Sequence, residues 1–182
     1  MESIKQIFRI GSGPSSSHTM GPKRAAEMFL ARNREVDSFR VTLYGSLAAT
    51  GRGHMTDVAI KSVLEPVAPL EIAWKPEVFL DFHPNGMLFE SLKADGSVIQ
   101  AWTVYSVGGG ALASDDLSDP QPEHVYGMST VSEIQQWCDK QGGSYWEYVQ
   151  QCEGDEIWDY LEEVWRVMVD AVHHGLETEG II

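Results

Sequence analysis

Apolar and polar positions alternate over SFRVTLYG. Phe39, Val41 and Leu43 fall on one side, Arg40, Thr42 and Tyr44 on the other. That period of two predicts a half-buried strand. Upstream, KRAAEMFLARN places Ala25, Met28, Phe29 and Arg32 on one helical face; Pro22 is tolerated in a first turn. Downstream, DVAIKSVLEP predicts a second helix, capped by Thr56 or Asp57 and ended by Pro66. VFLDF, GMLFESL and VIQAWTVYSV are apolar, β-branched and aromatic runs. Asn85-Gly86 and Asp95-Gly96 lie between them and are hairpin signals. The middle of the chain therefore predicts an antiparallel meander ending at Gly108-Gly109-Gly110.

Residues 114–127 are polar and proline-rich, a loop. Beyond them the pattern is helical. A short helix is expected over 132–140, broken by Gly142-Gly143; Ser144 caps a second and Asp155 a third. In the third, Ile157, Leu161, Val164, Met168 and Val172 recur at helical spacing, opposed by Asp159, Glu162, Glu163 and Asp170. This stripe reads as core packing rather than a cofactor site. His173 and His174 sit near the helix C-terminus, where cations are favoured, and Gly175 reads as the stop. The fold class is α+β: a mixed or antiparallel sheet with flanking helices over 1–128, then a helical extension over 129–182.

Composition narrows the function classes. The 182 residues are 43% hydrophobic, enough for a real core, and carry a formal net charge of −14. Gripping a phosphate backbone needs clustered Lys and Arg, so neither nucleic acid nor an anionic membrane is an expected partner. No apolar run approaches the roughly 18 residues of a membrane span. The first residues, MESIKQIFRIGSG, lack the apolar core of a signal peptide. Cys138 and Cys152 form no CxxC and have no nearby histidine, so the default location is a reducing cytoplasm.

Three segments could carry chemistry. In GSGPSSSHTMGPKRAA, small hydroxyls and one imidazole precede a helix. Free N–H groups and the helix dipole there suit a carboxylate or phosphate, and His18 titrates near neutrality. The same serines also serve as an ordinary cap, and both readings stand. In GSLAATGRGHMTD, Gly45 and Ser46 follow a strand, where α/β proteins place ligand loops. His54, Thr56 and Asp57 come within four residues. An Asp beside a His can fix its tautomer and raise its basicity; a surface histidine in a helix–turn–helix is the alternative. In YSVGGG, three glycines follow a strand, so either something approaches that backbone or the strand bulges. G-x-G-x-x-G after a strand, G-x-x-x-x-G-K-[ST] and G-x-S-x-G are absent.

SSSHTMGPKRAA, GSLAATGRGHMTD, HPNGM and YSVGGG, in that order and spacing, closely resemble the N-terminal or β-chain region of iron–sulfur-dependent L-serine dehydratases. HHGLETEGII resembles the linker that leads, in single-chain members, to the catalytic region. The resemblance implies an α+β module similar to the allosteric substrate-binding domain of some D-3-phosphoglycerate dehydrogenases. It implies a lyase of amino-acid catabolism that deaminates L-serine to pyruvate and ammonia with a [4Fe–4S] cluster and no pyridoxal phosphate. The cluster cysteines lie in an α region, which Cys138 and Cys152 do not match. None is expected on this chain, which by itself should be inactive; its partner is the α domain or chain, with a homodimer expected.

In the implied reaction, one iron polarises the serine hydroxyl and carboxylate, a base takes the Cα proton, and hydroxide leaves. His54 is the expected base, with His18 the open alternative. Ser15, Ser16, Ser17 and Thr19 would hold the substrate, together with Gly53, Thr56 and Asp57; Asp57 would orient His54. Two other functions compete: a regulatory module binding a small anion or amino acid, and an assembly scaffold.

Overall fold

The computed structural model describes residues 1–114 and 124–180. Its contacts divide into two compact units, Gly11–Asp119 and a second made of Met1–Ile10 with Pro120–Ile182.

The first unit is α+β. A wide turn over Ser16–Met20 leads into α1 (Gly21–Arg32). Strand β1 (Ser38–Tyr44) follows, then α2 (Gly45–Thr50), α3 (Thr56–Leu64) and β2 (Leu70–Lys75). The remaining strands are β3 (Gly86–Leu92), β4 (Val98–Gly108) and β5 (Ala111–Ala113). The sheet order is β2-β1-β3-β4-β5. β2 is parallel to β1, and every other neighbouring pair is antiparallel. β1 keeps its apolar side chains on one side as its sequence predicts, but Thr42 on the other side is buried too. Phe39, Val41 and Leu43 are buried with Phe29 and Ala25 of α1, Ile60 and Leu64 of α3, and Met87, Phe89 and Trp102 of the sheet. Arg40 and Glu90 pair across β1 and β3 in register, Nε–Oε2 2.7 Å and Nη2–Oε1 2.9 Å.

The meander begins one strand later than its sequence suggests. VFLDF is a loop, and Val78, Phe79 and Phe82 are exposed. The position beside β1 belongs to LEIAWK, whose Leu70 and Ile72 pack on the core. The carbonyls of the loop do other work: Val78 and Pro84 accept from the N–H groups of Gly45 and Ser46, which open α2. Asn85-Gly86 is accordingly no hairpin turn. Asn85 instead brackets Ser106, donating to its carbonyl from Nδ2 and accepting from its N–H. Asp95-Gly96 is the expected hairpin, with Gly96 at φ 81°. The three glycines turn β4 into β5: Gly109 and Gly110 have φ 56° and 74°, the signs of a tight hairpin, and Gly108 (φ 110°) sits at a register shift. Among the described residues, and its chain neighbours apart, no atom lies within 4 Å of where a Gly108 side chain would begin. Backbone conformation, not a close approach, asks for that glycine.

The second unit is helical: α4 (Val131–Gln141), α5 (Tyr145–Glu153) and α6 (Glu156–Glu177). Thr130 with Glu133, and Ser144 with Glu147, form reciprocal caps at the first two. Gly142 closes α4 at φ 66°. Glu153 gathers the N-terminal residues: its carboxylate accepts from Tyr126 Oη at 2.6 Å, Ser3 Oγ at 2.7 Å and the Ile4 N–H at 2.8 Å. The apolar stripe of α6 is core only in its first half. Ile157 and Val164 are buried, but Met168 and Val172 are 53% and 60% exposed. Gly175 does not stop the helix, which continues to Glu177. Among the described residues no helix is long and apolar enough to cross a membrane.

Candidate active site

Two segments distant in sequence meet through their backbones. Thr19 Oγ1 donates to the His54 carbonyl at 2.9 Å, and Thr56 Oγ1 donates to the His18 carbonyl at 2.6 Å. Each threonine is buried, at 5% and 0% exposure, so neither bond competes with water. This reciprocal strap sets the two imidazoles face to face, ring centroids 4.8 Å apart and tilted by 37°.

The local conformations explain how. Ser15 caps the turn, its Oγ accepting from the His18 N–H at 3.2 Å. The Gly21 N–H then reaches back to the Ser16 carbonyl, five residues earlier. Such wide turns are uncommon and frequent at functional sites; this one carries His18 toward α2. Gly21 packs so tightly that a Cβ there would lie 2.3 Å from Ser106 Oγ, which joins the first motif to YSVGGG. On the other side, Met55 holds the left-handed conformation at φ 57° between His54 and Thr56. A non-glycine residue there is costly. Gly51 and Gly53, the glycines of this motif nearest the turn, do not have positive φ. Gly53 is exposed, and the Thr50 carbonyl lies 3.5 Å from where a side chain would begin.

His54 Nδ1 lies 3.0 Å from the Thr50 carbonyl oxygen. A carbonyl only accepts, so Nδ1 carries the proton and Nε2 keeps the basic lone pair. Among the described residues Nε2 has no hydrogen-bond partner. His18 is more enclosed. Its Nδ1 lies 3.5 and 3.4 Å from the Ser15 and Ser17 hydroxyls; its Nε2 lies 3.4 and 3.1 Å from those of Ser46 and Thr50. Burial first, and then the nearby His54, push the His18 pKa below its ordinary value, against a smaller opposing effect of the Ser46 backbone. Burial thus favours the neutral form of His18.

Asp57 is not the orienting group for His54. Its carboxylate faces Lys61 one turn along α3, 3.6 Å away, while a main-chain carbonyl holds the imidazole. Nor does Thr56 cap α3, its hydroxyl being committed to the His18 carbonyl. Ser16 is exposed and contributes its carbonyl to the turn. Thr50 has no place in the sequence analysis, and Ser46 appears there only as the start of a ligand loop after a strand. The available signal was their i,i+4 spacing in GSLAAT, which puts both hydroxyls on one face of α2.

The chain matches the sequence model of the family described as serine dehydratase beta chain over residues 3–75 and 68–117. It belongs to that family. As a serine dehydratase beta chain it is 31% identical to L-serine dehydratase 2 of Escherichia coli K12, over all of this chain and 50% of that protein. It is 33% identical to L-serine dehydratase of Streptomyces coelicolor, over 99% of this chain and 51% of the relative. A similar protein of Haemophilus influenzae, also named L-serine dehydratase, is 29% identical over the whole chain. The chain spans about half the length of these curated relatives. An iron–sulfur cluster does not fit the side chains of this beta chain. Cluster sites are built from sets of cysteine thiolates, whereas this chain has two cysteines on separate helices, Cys138 buried and Cys152 half-buried.

Proposed function

We propose that this chain supplies the substrate-binding and proton-transfer groups of an L-serine dehydratase, the remaining groups coming from polypeptide equivalent to the half of its relatives that it does not cover. The observation that carries this reading is the His18–His54 pair, assembled from the two motifs by the threonine strap. β-Elimination from serine requires removal of a weakly acidic Cα proton and stabilisation of charge on the carboxylate.

His54 is the base. Its Nε2 lone pair is free, and the Nδ1–H···O bond to Thr50 supports the imidazolium that forms. His18 stays neutral and, with the hydroxyls of Ser15 and Ser17, lines the adjacent wall, where the substrate carboxylate binds. A cationic neighbour would depress the basicity of His54, so the enclosure that keeps His18 uncharged serves the chemistry. Departure of the hydroxide is assisted by groups outside this chain.

The test is single replacement, His54→Gln and His18→Gln, in the enzyme completed with its missing half. His54→Gln should lower kcat by about 10²-fold or more, and His18→Gln should act mainly on KM. Normal turnover in His54→Gln would end the assignment. The alternative of a regulatory amino-acid-binding module is tested by calorimetry of this chain alone with L-serine. Tight binding without the missing half would favour it.

A further inference from the structure

Both histidines converge on one residue that neither motif advertised. Thr50, the last residue of α2, presents its main-chain carbonyl to His54 Nδ1 at 3.0 Å and its hydroxyl to His18 Nε2 at 3.1 Å. The hydroxyl has one proton, and the Ser46 carbonyl lies 3.0 Å from Oγ1 at the i−4 position. Since that carbonyl can only accept, the Thr50 proton points along the helix and the lone pairs of Oγ1 face His18. His18 must then donate from Nε2. Its Nδ1 is left to accept, and two serine hydroxyls stand within reach: Ser15 Oγ at 3.5 Å, already taking the His18 N–H and so free to donate its own proton, and Ser17 Oγ at 3.4 Å.

We infer that Thr50 is a positioning residue that sets opposite tautomers in the two facing imidazoles: Nε2–H in His18 through its hydroxyl, Nδ1–H in His54 through its carbonyl. The consequence deepens the proposed function and rests on it. One ring presents a lone pair at Nε2 for a proton, while the other is held neutral with its Nε2 proton already committed to the scaffold. Exchange of roles would require the α2 terminus to turn away from both rings.

The tautomers are directly observable in the 182-residue chain. Histidine is labelled with 15N, and long-range proton–nitrogen correlation spectra are recorded at a pH where both rings are neutral. Signals are assigned by their loss in His18→Gln and His54→Gln. The expected pattern is a protonated Nε2 and unprotonated Nδ1 in His18, with the reverse in His54. Thr50→Val keeps the main-chain carbonyl and removes the hydroxyl. It should shift His18 toward a mixture of tautomers, leave His54 as it was, and lower kcat of the completed enzyme roughly 10-fold. Thr50→Ser should restore the wild-type spectrum. Nδ1–H in wild-type His18, or an unchanged His18 in folded Thr50→Val, overturns the assignment. If Thr50→Val fails to fold, the wild-type and Thr50→Ser spectra still decide it. Should the tautomers be as stated while His54→Gln keeps full turnover, the catalytic role of His54 fails and the role of Thr50 in setting the tautomers stands.

Discussion

The two units of this chain are stabilised in different ways. In Gly11–Asp119, helices α1 and α3 cover one face of the sheet and bury a continuous set of aromatic and aliphatic side chains. In the helical unit the interior is thin. α6 runs 22 residues yet buries only Ile157 and Val164, and much of the unit's order comes from caps and from hydrogen bonds to Glu153. The difference shows where a rigid site can be built. The facing histidines hang from the unit whose backbone is fixed by packing, and buried threonines fix their carbonyls in turn.

The contrast is sharpest at Phe29, which meets Phe39, Phe89 and Trp102 in the core. Phe29→Ala should cost about 3–5 kcal/mol. The same truncation at Met168, 53% exposed on α6, should stay within about 0.5 kcal/mol. Denaturant unfolding of both variants measures this. Comparable losses would mean that the two units are not stabilised so differently.

A smaller effect tests the junction of the first and third motifs. Gly21→Ala would place its Cβ 2.3 Å from the Ser106 hydroxyl and should cost about 1–3 kcal/mol. Among the described residues, the buried Ser106 Oγ has no hydrogen-bond partner. Ser106→Gly in the same chain should therefore recover much of the loss, a non-additivity readable from a double-mutant cycle.

The smallest expected effect belongs to the helical unit and is pH-dependent. Burial raises the Glu153 pKa, but the hydrogen bonds from Tyr126, Ser3 and Ile4 outweigh it, and the net shift is below the ordinary value of 4.5. A depressed carboxyl pKa contributes stability that is full above the unfolded-state value and is lost as pH falls through the folded one. Glu153→Gln should cost about 1–2 kcal/mol at pH 7. That deficit should shrink below about pH 4.5, where the wild type loses its own advantage. A deficit independent of pH would show that the carboxylate charge is not what orders this unit.

Much of the fold was legible because local rules and tertiary structure agreed. β1 alternates, α1 has one apolar face, and Asp95-Gly96 turns a hairpin. Where they conflicted, tertiary structure decided. VFLDF has the composition of a strand, but the edge beside β1 was taken by LEIAWK, and the displaced loop caps α2 instead. The α6 stripe has the period of a core helix, and period alone cannot reveal whether anything covers it.

The sequence by itself determined the candidate groups: a histidine among serines, a second histidine after a glycine-rich turn, and a net charge of −14. These are properties of residue type and spacing. Only the tertiary structure decided which groups face each other. It replaced Asp57 with the Thr50 carbonyl as the partner of His54, brought Ser46 and Thr50 to His18, and put the strained backbone at Met55 rather than at a glycine. Main-chain carbonyls and hydroxyl proton directions leave no mark in residue identity, yet they set the tautomer of an imidazole.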